Sequence, residues 1–249
     1  MLLLFKFKAY GVILLVMTNV TLDLKDVMNL QNFSGIIPLF PLATVVFFPN
    51  TLLPLHVFEP RYRQMVTDVI HNERIIGMVL LKPQWEKSYY ANPPTYSVAC
   101  MGRIVSSEAL EDGKFNIVLY GLKRVKILEI LKDLPYRLAR VKILEDVHGT
   151  NEEAYRVRIA ELISRWNSML GKEQESHKIN IDTELTLGNL THALASLIVS
   201  NVFEKQKLLE EDNVQDRGEK ILNNLETRLE IISLTSKKRN QIIQKRNLN

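Results

Sequence analysis

Residues 38–63 read PLFPLATVVFFPNTLLPLHVFEPRYR, an apolar run carrying five prolines, one histidine, one glutamate and two arginines. Whether these polar residues form a catalytic cluster or a folding signature decides the rest of the reading. Ile37–Leu39 and Thr44–Phe48 are apolar and β-branched, which predicts two short strands. Pro49-Asn50 marks a turn, because asparagine tolerates left-handed backbone angles. Leu52–Phe58 predicts a further strand, irregular or at an edge, since proline cannot donate to a ladder. At Glu59-Pro60 the period changes. Tyr62, Met65, Val66, Val69 and Ile70 recur at i, i+3, i+4, i+7 and i+8, which predicts an amphipathic helix. Pro60 suits the first helical position and Glu59 the cap, its charge at the positive end of the helix dipole. Arg61 and Arg63 fall on the solvent side or bind nearby carbonyls and carboxylates. His56 alternates with Leu55 and Val57, which predicts a hydrogen-bonding histidine beneath the helix rather than a catalytic base.

Working outward, Arg74–Leu81 is an almost continuous apolar run suited to a buried strand, and Lys82–Thr95 is a loop. Val98–Ser106 resumes as a strand. EDGK (111–114) predicts a hairpin turn in which Asp-Gly supplies the positive φ angles, joining Arg103–Ala109 to Phe115–Leu122. Arg124–Leu131 and Arg137–Glu145 alternate and complete a small barrel or rolled sheet of five or six strands. Beyond His148-Gly149 the pattern is helical. Asn151–Leu170, Thr186–Val199, Phe203–Glu211 and a long final helix capped by Asp212 follow in turn. The expected division is an N-terminal extension (1–35), a β-rich domain (36–147), a helical bundle (148–235) and a basic tail (236–249).

Composition narrows the chemistry. Among 249 residues there is one cysteine, Cys100, so no internal disulfide or CxxC site forms, and the chain suits a reducing cytoplasm. The five histidines lack metal-ligand spacing. The formal charge is +4, but Lys237, Lys238, Arg239, Lys245 and Arg246 leave −1 for the rest. That placement argues against nucleic acid as the main partner, although RNA binding through the basic tail stays as the alternative. No P-loop, GxSxG elbow or GxGxxG fingerprint occurs. No catalytic residue, metal or cofactor is expected. At the N-terminus Lys6 and Lys8 precede the nine apolar residues Ala9–Met17, a signal-like pattern without a cleavage motif. Nine residues fall short of the about 20 that cross a bilayer, so no membrane association is expected and a translation start at Met17 or Met28 is favoured.

PLFPL (38–42), FFP (47–49), LPLHVFEPRYRQM (53–65), GMV (77–79), CMGRI (100–104), DGKFNIVLYGLKRVKI (112–127) and LLEEDNVQDRGEKILNNL (208–225) together resemble the N-terminal, substrate-binding domain of Lon proteases over residues 36–235. Asn50 departs from the glycine that the family commonly places after the proline. The resemblance implies an α+β fold, a β-rich PUA-like pseudo-barrel followed by a C-terminal α-helical bundle. It implies recognition of unfolded polypeptide or of a protein partner, with homo-oligomerisation as a further partner class. The ATPase and Ser-Lys protease domains of that family are not in these residues, so a standalone, non-catalytic protein is expected. Its signature residues His56, Glu59, Pro60, Arg61, Tyr62 and Arg63 read as structural. The candidate substrate contacts are Trp85, Tyr89, Tyr90 and Tyr96 in the 82–96 loop, since aromatic rings give large contact area at low entropy cost.

Overall fold

The computed structural model describes residues 24–31, 33–88, 93–170, 175 and 177–246, with side chains as far as Leu234. The signal-like run at the N-terminus, Tyr89 and Tyr90 lie outside the described residues. The fold is α+β, with six strands and six helices among the described residues: α1 (Leu24–Met28), β1 (Ile36–Leu42), β2 (Leu52–Val57), α2 (Pro60–Ile70), β3 (Ile75–Leu80), β4 (Val98–Ala109), β5 (Phe115–Lys132), β6 (Arg137–Ile143), α3 (Glu152–Met169), α4 (Leu187–Ile198), α5 (Val202–Glu210) and α6 (Val214–Arg246).

The strands are ordered β2-β5-β4-β3-β1-β6, and β5 also pairs with β6, so five of them close a ring to which β2 is added. Only β1 and β3 run parallel, as the long crossover through β2 and α2 requires. Strand β5 is 18 residues long and pairs first with β2 and β4, then with β6. Its register shifts between Ile127 and Glu129 and again between Ile130 and Lys132. Such bulges bend a strand and add twist, which lets one strand serve both sides of a closing sheet. Every residue of β3 is buried, and Ile37, Leu39, Val79, Met101, Val125 and Val141 meet in one apolar cluster inside the ring.

Two prolines sit within β1, where they are tolerated for a visible reason. Pro38 pairs only toward β6 and Pro41 only toward β3, so each lies where one side of the strand carries no ladder. The expected strand at Thr44–Phe48 does not form. Val46, Phe47 and Phe48 are buried, but the segment crosses glycines instead of pairing. A Cβ on Gly102 would lie 2.6 Å from the Phe47 ring, and one on Gly121 would collide with the Phe48 carbonyl. Apolar character there reports burial alone. Asn50 takes φ +58° as its turn demands, its N–H donating to the Gly121 carbonyl at 2.8 Å. In the EDGK turn only Gly113 has positive φ, so Asp112 does not share that role.

The chain divides into two compact units. The first takes the barrel through Asp146 together with His192–Asp212; the second takes Val147–Thr191 and the chain from Asn213 onward. Residues ahead of β1 contribute to the first unit. Val27 is buried in the apolar cluster, and Arg103 donates to the Asp26 and Asn29 carbonyls at 2.6 and 2.7 Å. Helix α5 returns to the barrel because the Gln206 amide donates to the Val98 carbonyl and Arg124 clasps the chain that follows it.

In the second unit α3 and α6 pair through Ile159, Leu162 and Ile163 on one side and Ile221, Leu225 and Leu229 on the other. Buried Arg217 donates to the Thr191 hydroxyl at 2.9 Å. The cap of α6 is Asn213 and not the expected Asp212. The Asn213 side-chain Oδ1 accepts from the backbone N–H groups of Gln215 and Asp216 at 2.9 and 3.2 Å, whereas Asp212 is drawn off by Arg124 at 2.8 Å. The α6 backbone stays helical to Arg246, through most of the segment read as a basic tail, whose side chains lie outside those described.

Candidate functional site

The signature residues meet at the start of α2. Pro60 occupies the first helical turn, and Glu59 stands in the capping position without making a side-chain cap bond. Its carboxylate instead accepts from Arg61, at 3.1 Å from Nε and 3.0 Å from Nη2. The Arg61 guanidinium lies 4.6 Å from the centre of the Tyr62 ring, and Tyr62 stacks on Phe40 with centroids 4.2 Å apart. Arg63 packs against Gly113, where a Cβ would collide with its guanidinium, and among the described residues its buried Nε has no hydrogen-bond partner. His56 bonds sideways to its cross-strand neighbour. Its Nδ1 lies 2.9 Å from Asn116 Oδ1, which must accept, and Asn116 in turn donates to Glu108. Among the described residues no three His, Cys, Asp or Glu side chains converge on a metal position.

Beside Arg61 and Tyr62 lies an open cleft of about 50 Å³, walled by Pro41, Leu81, Pro93 and the Leu134–Arg137 turn. The β5–β6 hairpin supplies that turn, where the Leu134–Pro135 peptide is cis. Tyr136 ties it to α2, its hydroxyl donating to Asp68 Oδ2 at 2.6 Å. Burial, aided by that carboxylate, pushes the phenol up to about 12. Arg137 is buried in the wall and donates to the Pro93 carbonyl at 2.8 Å. Burial pulls its guanidinium below the ordinary arginine range; Asp133 opposes the shift and Arg61 adds to it. Leu134 at the rim is 72% exposed, and Leu128, Ile130 and Leu131 along the same hairpin are also exposed. Leu128 and Leu131 are the extra residues of the two bulges.

Of the loop aromatics, Trp85 opens a short 3₁₀ turn (Trp85–Ser88), and both it and Tyr96 are half-buried. The Tyr96 N–H donates to the Leu80 carbonyl, and Leu81 bridges Thr95. Those bonds hold the base of the loop at the cleft, where Leu81 and Pro93 form part of the wall. Arg61 and Tyr62 of the signature and Pro93 of the loop thus border one cavity, whereas His56, Arg63, Trp85 and Tyr96 are not among its lining residues. Sequence reasoning missed Arg137 and Tyr136. The one available signal was the LPYR stretch (134–137), a proline turn placing an aromatic and a cation at the start of a strand.

A family model described as the ATP-dependent protease La (LON) substrate-binding domain matches residues 36–227. Lon protease from Dictyoglomus thermophilum is 27% identical over 220 residues, covering 88% of this chain and 28% of its own length. Lon protease from Anaeromyxobacter dehalogenans is 26% identical over 212 residues, covering 84% and 25%. The chain therefore spans about a quarter of the curated relatives it matches. In fold, it is similar to a Lon N-terminal domain protein from Xanthomonas campestris, with TM-score 0.56 and 22% identity over 76% of this chain and 97% of that one. The N-terminal domain of Mycobacterium avium complex Lon protease gives TM-score 0.55 and 16% identity over 77% and 98%. These matches fall on the substrate-binding part of Lon, not on its ATPase or protease parts.

Proposed function

The chain belongs to the LON substrate-binding domain family, and from that membership we propose that its barrel unit captures apolar segments of unfolded polypeptides, or of a dedicated protein partner, without ATPase or protease chemistry of its own. The observation that carries this reading is the open cleft beside Tyr62, rimmed by exposed Leu134, with Leu128, Ile130 and Leu131 also exposed on the same hairpin. Exposed apolar side chains beside a cleft favour a partner over water. Trp85, Tyr89, Tyr90 and Tyr96 are read as further adaptable contacts for the same polypeptide. Replacing Trp85, Tyr89 and Tyr90 by alanine should weaken polypeptide binding, and unchanged affinity would sink their role. No helix among the described residues is long and apolar enough to cross a membrane, and we read the protein as cytoplasmic. Self-association would present several clefts to one unfolded chain and raise avidity.

A second reading, RNA binding, draws support from Lys126, Lys132, Arg140 and Lys142, all exposed on β5 and β6, with Lys126 directly opposite Lys142. Fluorescence anisotropy separates the two. A labelled unfolded polypeptide and a labelled single-stranded RNA are each titrated with the protein at low and moderate salt. Apolar capture survives added salt, whereas phosphate contacts weaken steeply. Salt-sensitive RNA binding with no polypeptide signal would replace the first reading by the second.

A further inference from the structure

Arg137 is an arginine whose surroundings do not use it up. Its side chain is only 9% exposed, yet among the described residues one carbonyl, that of Pro93, accepts from it. The Asp133 carboxylate stands 3.8 Å from Nε, too far for a hydrogen bond, and is itself half exposed. A guanidinium has five N–H donors in a planar fork, and taking it out of water is costly unless they are matched. A second cation converges on the same cavity, since Arg61 lines it from the start of α2 while Arg137 lines it from the start of β6. Of the nearby carboxylates, Glu59 accepts from Arg61 and Asp68 from Tyr136 and Gln64, while Asp133 lines the cleft and gives Arg137 a neighbouring charge without a hydrogen bond.

Size narrows what could match these donors. The cleft offers about 50 Å³, roughly a third of the ~150 Å³ that an engineered core cavity needs to hold benzene. Its enclosed part takes a group smaller than an aromatic ring, while its mouth is open. A carboxylate fits, and the arginine fork matches its two oxygens. A chain end needs only one path into so small a recess, whereas an internal acidic residue must bring the chain in and lead it out. We infer that Arg137, with Arg61 beside it, reads the C-terminal carboxylate of a bound polypeptide, while Leu134 and Leu81 cover the apolar residue that carries it. This rests on the polypeptide-capture reading and adds to it a preference for chain ends.

The test uses the full chain and three short labelled peptides, each with the same apolar end: one with a free C-terminal carboxylate, its amidated twin, and an amidated peptide carrying one internal aspartate. Anisotropy titrations at moderate salt should show the free acid binding about tenfold or more tighter than the amide, as charge-assisted hydrogen bonds allow. That ratio should fall toward one in Arg137→Lys, which keeps the charge but loses the fork, and fall partway in Arg61→Gln. The acid-to-amide comparison on the unaltered protein needs no variant to fold. Equal binding of acid and amide would overturn the carboxylate assignment while leaving polypeptide capture standing. If the internal aspartate restored full affinity, the chain-end assignment would fall. Peptides that fail to bind when an unfolded polypeptide still binds would also overturn the inference, and failure of every probe would remove the capture reading beneath it.

Discussion

Arg124 and Arg137 are both buried guanidiniums of the barrel unit, and they sit in opposite circumstances. Arg124 is surrounded by acceptors. Its Nη1 donates to the Leu209 and Glu211 carbonyls at 3.1 Å and to Asp212 at 2.8 Å, and its Nη2 donates to the Glu145 carbonyl at 3.3 Å and to Asp146 at 2.8 Å. Arg137 has one carbonyl and, at 3.8 Å, the Asp133 carboxylate, an ion pair without a hydrogen bond. Equal burial therefore does not imply equal purpose. Where protein groups match the fork, the arginine joins segments distant in sequence, here β5 and the chain after α5. Where they do not, it remains available to an acceptor from outside.

The largest effect that could break this contrast is on stability. Arg124→Met should cost about 3 kcal/mol, because two carboxylates and three carbonyls lose their donor. Asp212 is half exposed and can rehydrate, which holds the loss toward the lower end of that range. Urea denaturation measures it, and Cys100 offers a second probe. Cys100 pairs with Arg124 in register and is fully buried, and burial pushes its thiol well up. It should resist thiol reagents in the native protein and react faster in Arg124→Met. Polypeptide affinity at temperatures where the variant is folded should not change.

Arg137→Met should cost only about 1 kcal/mol, the worth of one hydrogen bond. If it destabilised as much as Arg124→Met, the two sites would be alike and the ligand-facing role of Arg137 would fall. Arg61→Gln removes a half-buried ion pair and should shift stability by about 0.5 kcal/mol or less, with its effect seen in peptide affinity instead. The smallest effect concerns pH. The Tyr136 phenol is raised from 10.0 to about 12, so the native state holds its proton longer than the unfolded chain does. Its contribution is fully present below pH 10.0 and is lost as pH rises toward about 12. Urea midpoints across that alkaline range should fall less steeply in Tyr136→Phe than in the parent, and identical slopes would show that the Tyr136–Asp68 bond does not hold the turn.

Much of the architecture was legible because its causes are local. Pro60 with the Tyr62–Ile70 stripe announces α2, Asn50 announces a left-handed turn, and the unbroken apolar run at Ile75–Leu80 announces a strand buried on both faces. The misreadings share one cause, competition between partners that are far apart in sequence. Thr44–Phe48 has the composition of a strand, but its rings find glycines across the barrel rather than a ladder. Asp212 has the chemistry of a cap, but a cation 88 residues away claims it, and Asn213 caps instead.

The sequence by itself determined the two-part α+β character, the hairpins, the helix signature and the resemblance to a substrate-binding domain, since each rests on residue spacing within a few turns or strands. Only the tertiary structure decided that α5 belongs with the barrel, that β5 bulges twice to close the ring, and that Arg61, Tyr62, Pro93 and the LPYR turn border one cleft. Burial and hydrogen-bond matching are properties of neighbours in space. Two arginines on neighbouring strands look the same along the chain, and they become a clasp and a candidate receptor only when the fold counts the acceptors around each.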